Sequence, residues 1–177
     1  GSLNDSIEWA SSMPDGGFIL GGVTSSMDVP GLPPPEDGTF PNGFVVRLDA
    51  DGGIVWQAQP GSMGYDDARA VVGRPDGSAL TAGRFLRSTM VCPELEDGCP
   101  GAGVLLIPYD ADDTAGPQKV LAGGGGDTRP FVALIQSGGV PTLVTRLMTD
   151  WFGGGAAGLV APSYSGVFVW RLNSTSF

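Results

Sequence analysis

One phrase is written three times along this chain, at a spacing of 61 residues: Pro14-Asp15-Gly16-Gly17 returns as Pro75-Asp76-Gly77-Ser78 and, degraded, as Gln136-Ser137-Gly138-Gly139. A fixed period with turn residues in phase marks an array of supersecondary units, none of which can bury its apolar face alone. Each turn precedes an apolar run: Phe18 to Val23, Ala79 to Arg84, and Val140 to Thr145. A second phrase, Phe44-Val45-Val46-Arg47-Leu48-Asp49-Ala50-Asp51-Gly52-Gly53-Ile54-Val55-Trp56, is echoed by Leu105 to Asp112 and by Phe168 to Asn173. Leu172 follows Leu48 by 124 residues, close to two periods.

Short runs of Val, Ile, Leu and aromatics closed by Asp-Gly and Gly-Gly are β-strands joined by tight loops, two hairpins to a unit. No helix competes with this pattern, because 30 Gly and 15 Pro among 177 residues interrupt every candidate stretch. A disordered chain is the other source of so much glycine. The 41% hydrophobic content and its phased placement argue against it.

Four antiparallel strands repeated at this length predict an all-β fold of β-propeller blades. The first blade is expected from about Ile7 to Gln57, the second from about Asp67 to Ala122, and the third over 129–177, lacking its last strand. Propellers close with four to eight blades, so the expectation is either part of a longer ring or a half that pairs with a copy of itself. Trp9 and Trp56 fall on strands and are expected in the core.

The run Gly43-Phe44-Val45-Val46-Arg47-Leu48-Asp49-Ala50-Asp51-Gly52, followed by a strand ending in Trp56, resembles the bacterial β-propeller repeat proteins of the seven-bladed type. The resemblance covers all three units, best in the first and worst in the third, and implies a secreted or cell-surface setting. The same hairpin is similar to the Asp box of sialidase-type propellers, through Asp51, Gly53 and Trp56. Asp49 stands where that box prefers Ser or Thr, and the box is a structural turn that brings no catalytic role.

Cys92 and Cys99 are the only cysteines, and there is no histidine, so no zinc set can be assembled. A disulfide between them is expected, with a pair of free thiols as the alternative. It would stabilise by about 2.5 kcal/mol through loop entropy and would place the chain in an oxidising compartment. No apolar run approaches the length needed to cross a bilayer, so membrane insertion is not expected. A net charge of −10, with Lys119 as the only lysine, disfavours nucleic acid as a partner.

In such a blade the tight turns share one end and the long connections share the other. The long segments are Ser25 to Asn42, Leu86 to Ala102 and Met148 to Ser165, far above hairpin length. They carry Glu36, Asp37, Glu96, Asp97, Asp150, Trp151 and Tyr164, the candidate ligand-binding residues. Aromatic faces and carboxylates suit a carbohydrate, and carboxylates suit calcium; a protein ligand is the other partner kept. The plainer alternative is that these loops keep a β-rich surface soluble while Trp151 and Phe152 cover the blade beneath. Asp49 and Asp51 are a weaker calcium candidate, since a four-residue hairpin explains the same residues. No other cofactor is implied.

Without histidine no Ser-His-Asp or Cys-His constellation can form. Glycoside hydrolysis by paired carboxylates is the one enzymatic alternative, and no pair is singled out by spacing. The expectation is a non-catalytic binding or adhesion module, with a structural or assembly role as the alternative.

Overall fold

A computed structural model describes residues 3–32, 41–59, 65–86, 102–112, 119–123, 132–137, 140–147 and 166–172. Eleven strands and no helix are found among them: β1 (Asp5–Ser12), β2 (Phe18–Thr24), β3 (Asn42–Leu48), β4 (Ile54–Ala58), β5 (Tyr65–Gly73), β6 (Ala79–Leu86), β7 (Ala102–Tyr109), β8 (Lys119–Gly123), β9 (Val132–Ser137), β10 (Val140–Leu147) and β11 (Gly166–Arg171). They form three antiparallel sheets in chain order. Sheet 1 is β1-β2-β3-β4, sheet 2 is β5-β6-β7-β8, and sheet 3 is β9-β10-β11.

The repeated turn explains why the strands pair as they do. Met13, Asp49 and Arg74 each begin a loop whose fourth residue is a glycine with positive φ: Gly16 at 86°, Gly52 at 85° and Gly77 at 84°. In each, the first residue's N–H bonds the carbonyl of the fifth, at 2.8–2.9 Å, as in Met13 N to Gly17 O. This is a type I turn closed by a left-handed residue, which glycine adopts without a Cβ clash. The aspartate inside each loop accepts a backbone N–H: Asp15 from Gly17, Asp76 from Ser78, and Asp49 from both Asp51 and Gly53.

A second repeated device lies on the first strand of a unit. Pairing shifts by one residue between Ile7 and Trp9 in sheet 1 and between Ala68 and Ala70 in sheet 2, bulges 61 residues apart. Opposite them stand Gly22 and Gly83, where a Cβ would fall on the Ser6 or Asp67 carbonyl oxygen. Only glycine fits under that carbonyl. In sheet 3, Thr145 pairs with Val132 without a shift.

The sheets stack face to face with sheet 2 in the middle: β5 packs on β1, β2 and β3, and β9 packs on β5 and β6. Between sheets 1 and 2 lie Met13, Ile19, Val45, Trp56, Val71, Ala79, Ile107 and Tyr109. Between sheets 2 and 3 lie Ala70, Val72, Leu80, Ala82, Val104, Leu106, Val132, Leu134, Leu143 and Leu172. Sheet 2 is thus packed on both faces, which is why β7 (AGVLLIPY) reads as a near-continuous apolar run instead of alternating. Each large aliphatic side chain buried there contributes about 1.5–3 kcal/mol.

Two expectations are corrected. Trp56 is buried and stacks on Tyr109 with ring centroids 5.3 Å apart, but Trp9 is 38% exposed; it lies on β1, the edge strand of its sheet, where too little neighbouring chain covers it. The third unit forms its strands but not at the strict period. Its register places Leu143 in the core, whereas a 61-residue offset equates Leu143 with Ala82, which faces the other way out of sheet 2. Two residues link β9 to β10, against five between β5 and β6. A shorter link moves the strand by one position, and such a slip exchanges its two faces.

Candidate functional site

The stack has two distinct ends. One carries the tight turns at Met13–Gly17, Asp49–Gly53 and Arg74–Ser78. At the other, β2, β6 and β10 end, and β3, β7 and β11 begin, at paired positions: Thr24 with Asn42, Leu86 with Ala102, Leu147 with Gly166. The long segments between those strands therefore leave and rejoin at one edge. Glu36, Asp37, Glu96, Asp97, Asp150, Trp151 and Tyr164, along with Cys92 and Cys99, lie outside the described residues.

Polar groups underlie that edge, with Thr24, Ser26, Asp67, Arg84 and Thr145 buried among them. In sheet 1 the Asp5 carboxylate accepts the Thr24 hydroxyl at 2.6 Å and the Ser26 hydroxyl at 2.8 Å. Ser26 N–H donates to Thr24 Oγ1, and Ser26 Oγ accepts the Leu3 N–H. The Thr24 hydroxyl, and after it Ser26, hold the Asp5 carboxyl well below the usual carboxylate range despite an opposing desolvation effect.

In sheet 2, Asp67 is buried and is held by two arginines. Its Oδ1 accepts the Arg84 backbone N–H at 2.9 Å; its Oδ2 accepts Arg84 Nε and Arg69 Nε, both at 2.7 Å, and also Arg84 Nη2. Arg84 is equally buried. In sheet 3, Thr145 is fully buried, and its hydroxyl has no partner among the described residues.

At the turn end, Arg47 donates to Asp15 Oδ2 at 2.6 Å and to the Ala111 carbonyl at 3.0 Å, joining a turn of sheet 1 to the turn that follows β7 in sheet 2. The Gly17 N–H first, and then Arg47, lower the Asp15 carboxyl, and the Ser78 hydroxyl lowers that of Asp76. Asp49 and Asp51 also lie at this end. One Asp49 oxygen already accepts two backbone N–H groups, and no cluster of three metal-ligating side chains occurs among the described residues.

These carboxylates brace turns and strand pairs. None of this set is presented as a paired acid and base. The Asp67–Arg84–Arg69 group escaped the sequence reading; its signal was a charged residue, Arg84, closing an otherwise apolar run. Arg47 gave the same signal within Phe44 to Leu48.

One pH dependence follows. Asp5, Asp15 and Asp76 are all lowered from the ordinary value of 3.8. Below that value the unfolded chain binds more protons than the folded one, so stability rises with pH there. Their contribution is complete above about pH 5 and is lost as pH falls through the lower folded-state values. Thermal melts should hold between about pH 5 and 7 and decline below about pH 4; a melting temperature unchanged down to pH 2 would contradict the assignment.

The fold and braced edge define the class: an all-β protein of three stacked antiparallel sheets, in which the strand ends that bound the long connections share one edge. No protein-family model matches the chain, and no curated protein matches it. No helix among the described residues is long and apolar enough to cross a membrane.

Proposed function

We propose that the three sheets are consecutive blades of a β-propeller of the bacterial secreted or cell-surface repeat type, serving as a non-catalytic module that binds a glycan. One observation carries this reading. All three sheets share a strand order that brings the ends of β2, β6 and β10 to a single edge, and the segments leaving that edge hold seven of the chain's 19 acidic residues together with Trp151, Phe152 and Tyr164. Rigid sheets presenting variable loops are the usual carriers of binding. Trp151 and Tyr164 supply ring faces for sugar C–H surfaces, while Glu36, Asp37, Glu96, Asp97 and Asp150 accept sugar hydroxyls. A Cys92–Cys99 disulfide belongs to the same reading, as a clip within the second loop in an oxidising compartment.

A glycan array followed by melting in the presence of the hit tests it. At a hundredfold excess over Kd the sugar should stabilise by about 2.7 kcal/mol. Trp151→Ala should remove that shift while leaving the unliganded melt in place. Silence across a broad array would sink the glycan reading, and a protein partner recovered at the same edge would replace it. Melting should be unchanged by chelator, since no calcium is invoked.

A second reading, an assembly element, is favoured by the apolar faces left uncovered at both ends of the stack.

A further inference from the structure

Both outermost faces of the stack carry exposed apolar side chains, beside Arg171 on sheet 3. On sheet 1, Ile7, Phe18 and Ile54 are 62%, 48% and 61% exposed; on sheet 3, Val167, Val169 and Ile135 are 68%, 63% and 51% exposed. Register places each group on one side of its sheet. Ile7 pairs with Gly22 and Ile54 with Leu48, on the side away from Ile19 and Val45. Val169 pairs with Val144 and Val167 with Arg146, away from Leu143.

These faces are halves of interfaces that the chain already makes. Sheet 2 docks on sheet 1 through Val71, Ala79, Ile107 and Tyr109. The residues 61 positions earlier are Ala10, Phe18, Val46 and Leu48, which belong to the outward side of sheet 1. Sheet 2 meets sheet 3 through its other face, which includes Val72, Ala82, Val104 and Leu106. Matching Leu172 to Tyr109 and Leu143 to Thr81, as the observed pairing requires, sets their counterparts in sheet 3 as Ile135, Val144, Val167 and Val169. Sheet 3 therefore presents outward the surface that sheet 2 offers to its successor. Sheet 1 presents the surface that sheet 2 offers to its predecessor.

We propose that two copies of this chain join head to tail, the outer face of sheet 3 in each copy seating on the outer face of sheet 1 in the other. Each new contact repeats an interface already formed twice within the chain, and every copy carries both complementary halves. Two copies bring six sheets together, within the four to eight that close a propeller, whereas three copies would exceed it. The pairing rests on the blade reading but not on glycan binding.

Sedimentation of the 177-residue chain at tens of micromolar tests this. The expected mass is twice 18.1 kDa. Val167→Glu with Val169→Glu on one face, or Ile7→Glu with Ile54→Glu on the other, should each weaken pairing by about 100-fold or more by burying unpaired charge. These sites are exposed within a single copy, so the strand-rich circular dichroism spectrum should persist. Mixing the two variants is decisive: head-to-tail contact leaves one interface wholly unaltered, so a one-to-one complex should reappear from two monomeric samples. A monomeric parent chain, or a variant altered on one face that still pairs with itself, would overturn the proposal. A monomer that still bound glycan would overturn the pairing alone.

Discussion

Replacing Asp67 by alanine is expected to destabilise the protein by about 3–5 kcal/mol, because it breaks a buried ion pair from one side and removes the carboxylate to which Arg84 Nε and Nη2 donate. Asp67 is 1% exposed in its side chain and Arg84 8%, so water cannot take over the lost contacts. Asp67 also accepts the Arg84 backbone N–H, so that hydrogen bond is lost as well. In a chain of this size that loss corresponds to roughly 10 °C or more in Tm. The charge argument has its own control. Asp67→Leu combined with Arg84→Met removes both charges, and it should be clearly more stable than Asp67→Ala, since an apolar pair of similar volume replaces a buried ion pair with little penalty. If the double variant melts lower than the single one, the broken ion pair is not the cause.

The second large effect is expected at Trp56. It is buried on β4 of sheet 1 and stacks on Tyr109 of β7 in sheet 2, so truncation removes contacts across the interface as well as leaving a cavity. Trp56→Ala should cost about 3–5 kcal/mol, while Trp56→Phe should recover a large part by retaining a ring over Tyr109. Trp9→Ala, at a partly exposed position on the edge strand β1, should cost much less. Chemical denaturation of the three variants side by side checks this ranking. Equal losses at Trp9 and Trp56 would contradict the packing described for the first interface.

The turns were legible in the sequence because their physics is local. Asp15-Gly16 and Asp76-Gly77 carry in adjacent residues both the carboxylate that accepts a backbone N–H and the glycine that adopts positive φ, and in the remaining turn Asp49 supplies the carboxylate three residues before Gly52. From turns at a fixed spacing, the all-β class and the three units followed. The braces between residues far apart in the chain were not legible. Asp67 and Arg84 are 17 residues apart and meet only through strand pairing, and Arg47 reaches Ala111 across 64 residues. Nothing near Arg47 in the chain announces Ala111 as its partner.

Strand identity and turn geometry were settled by the sequence itself, since backbone preferences act within a few residues and the 61-residue period repeats them. Which side of each strand is buried was decided only in three dimensions. Phe18 and Ala79 hold the same repeat position, yet Phe18 is exposed and Ala79 buried, because burial depends on whether another sheet lies against that face. Leu143 entered the core through a shorter link that turned its strand over, an outcome set by the pairing partner and not by the residue.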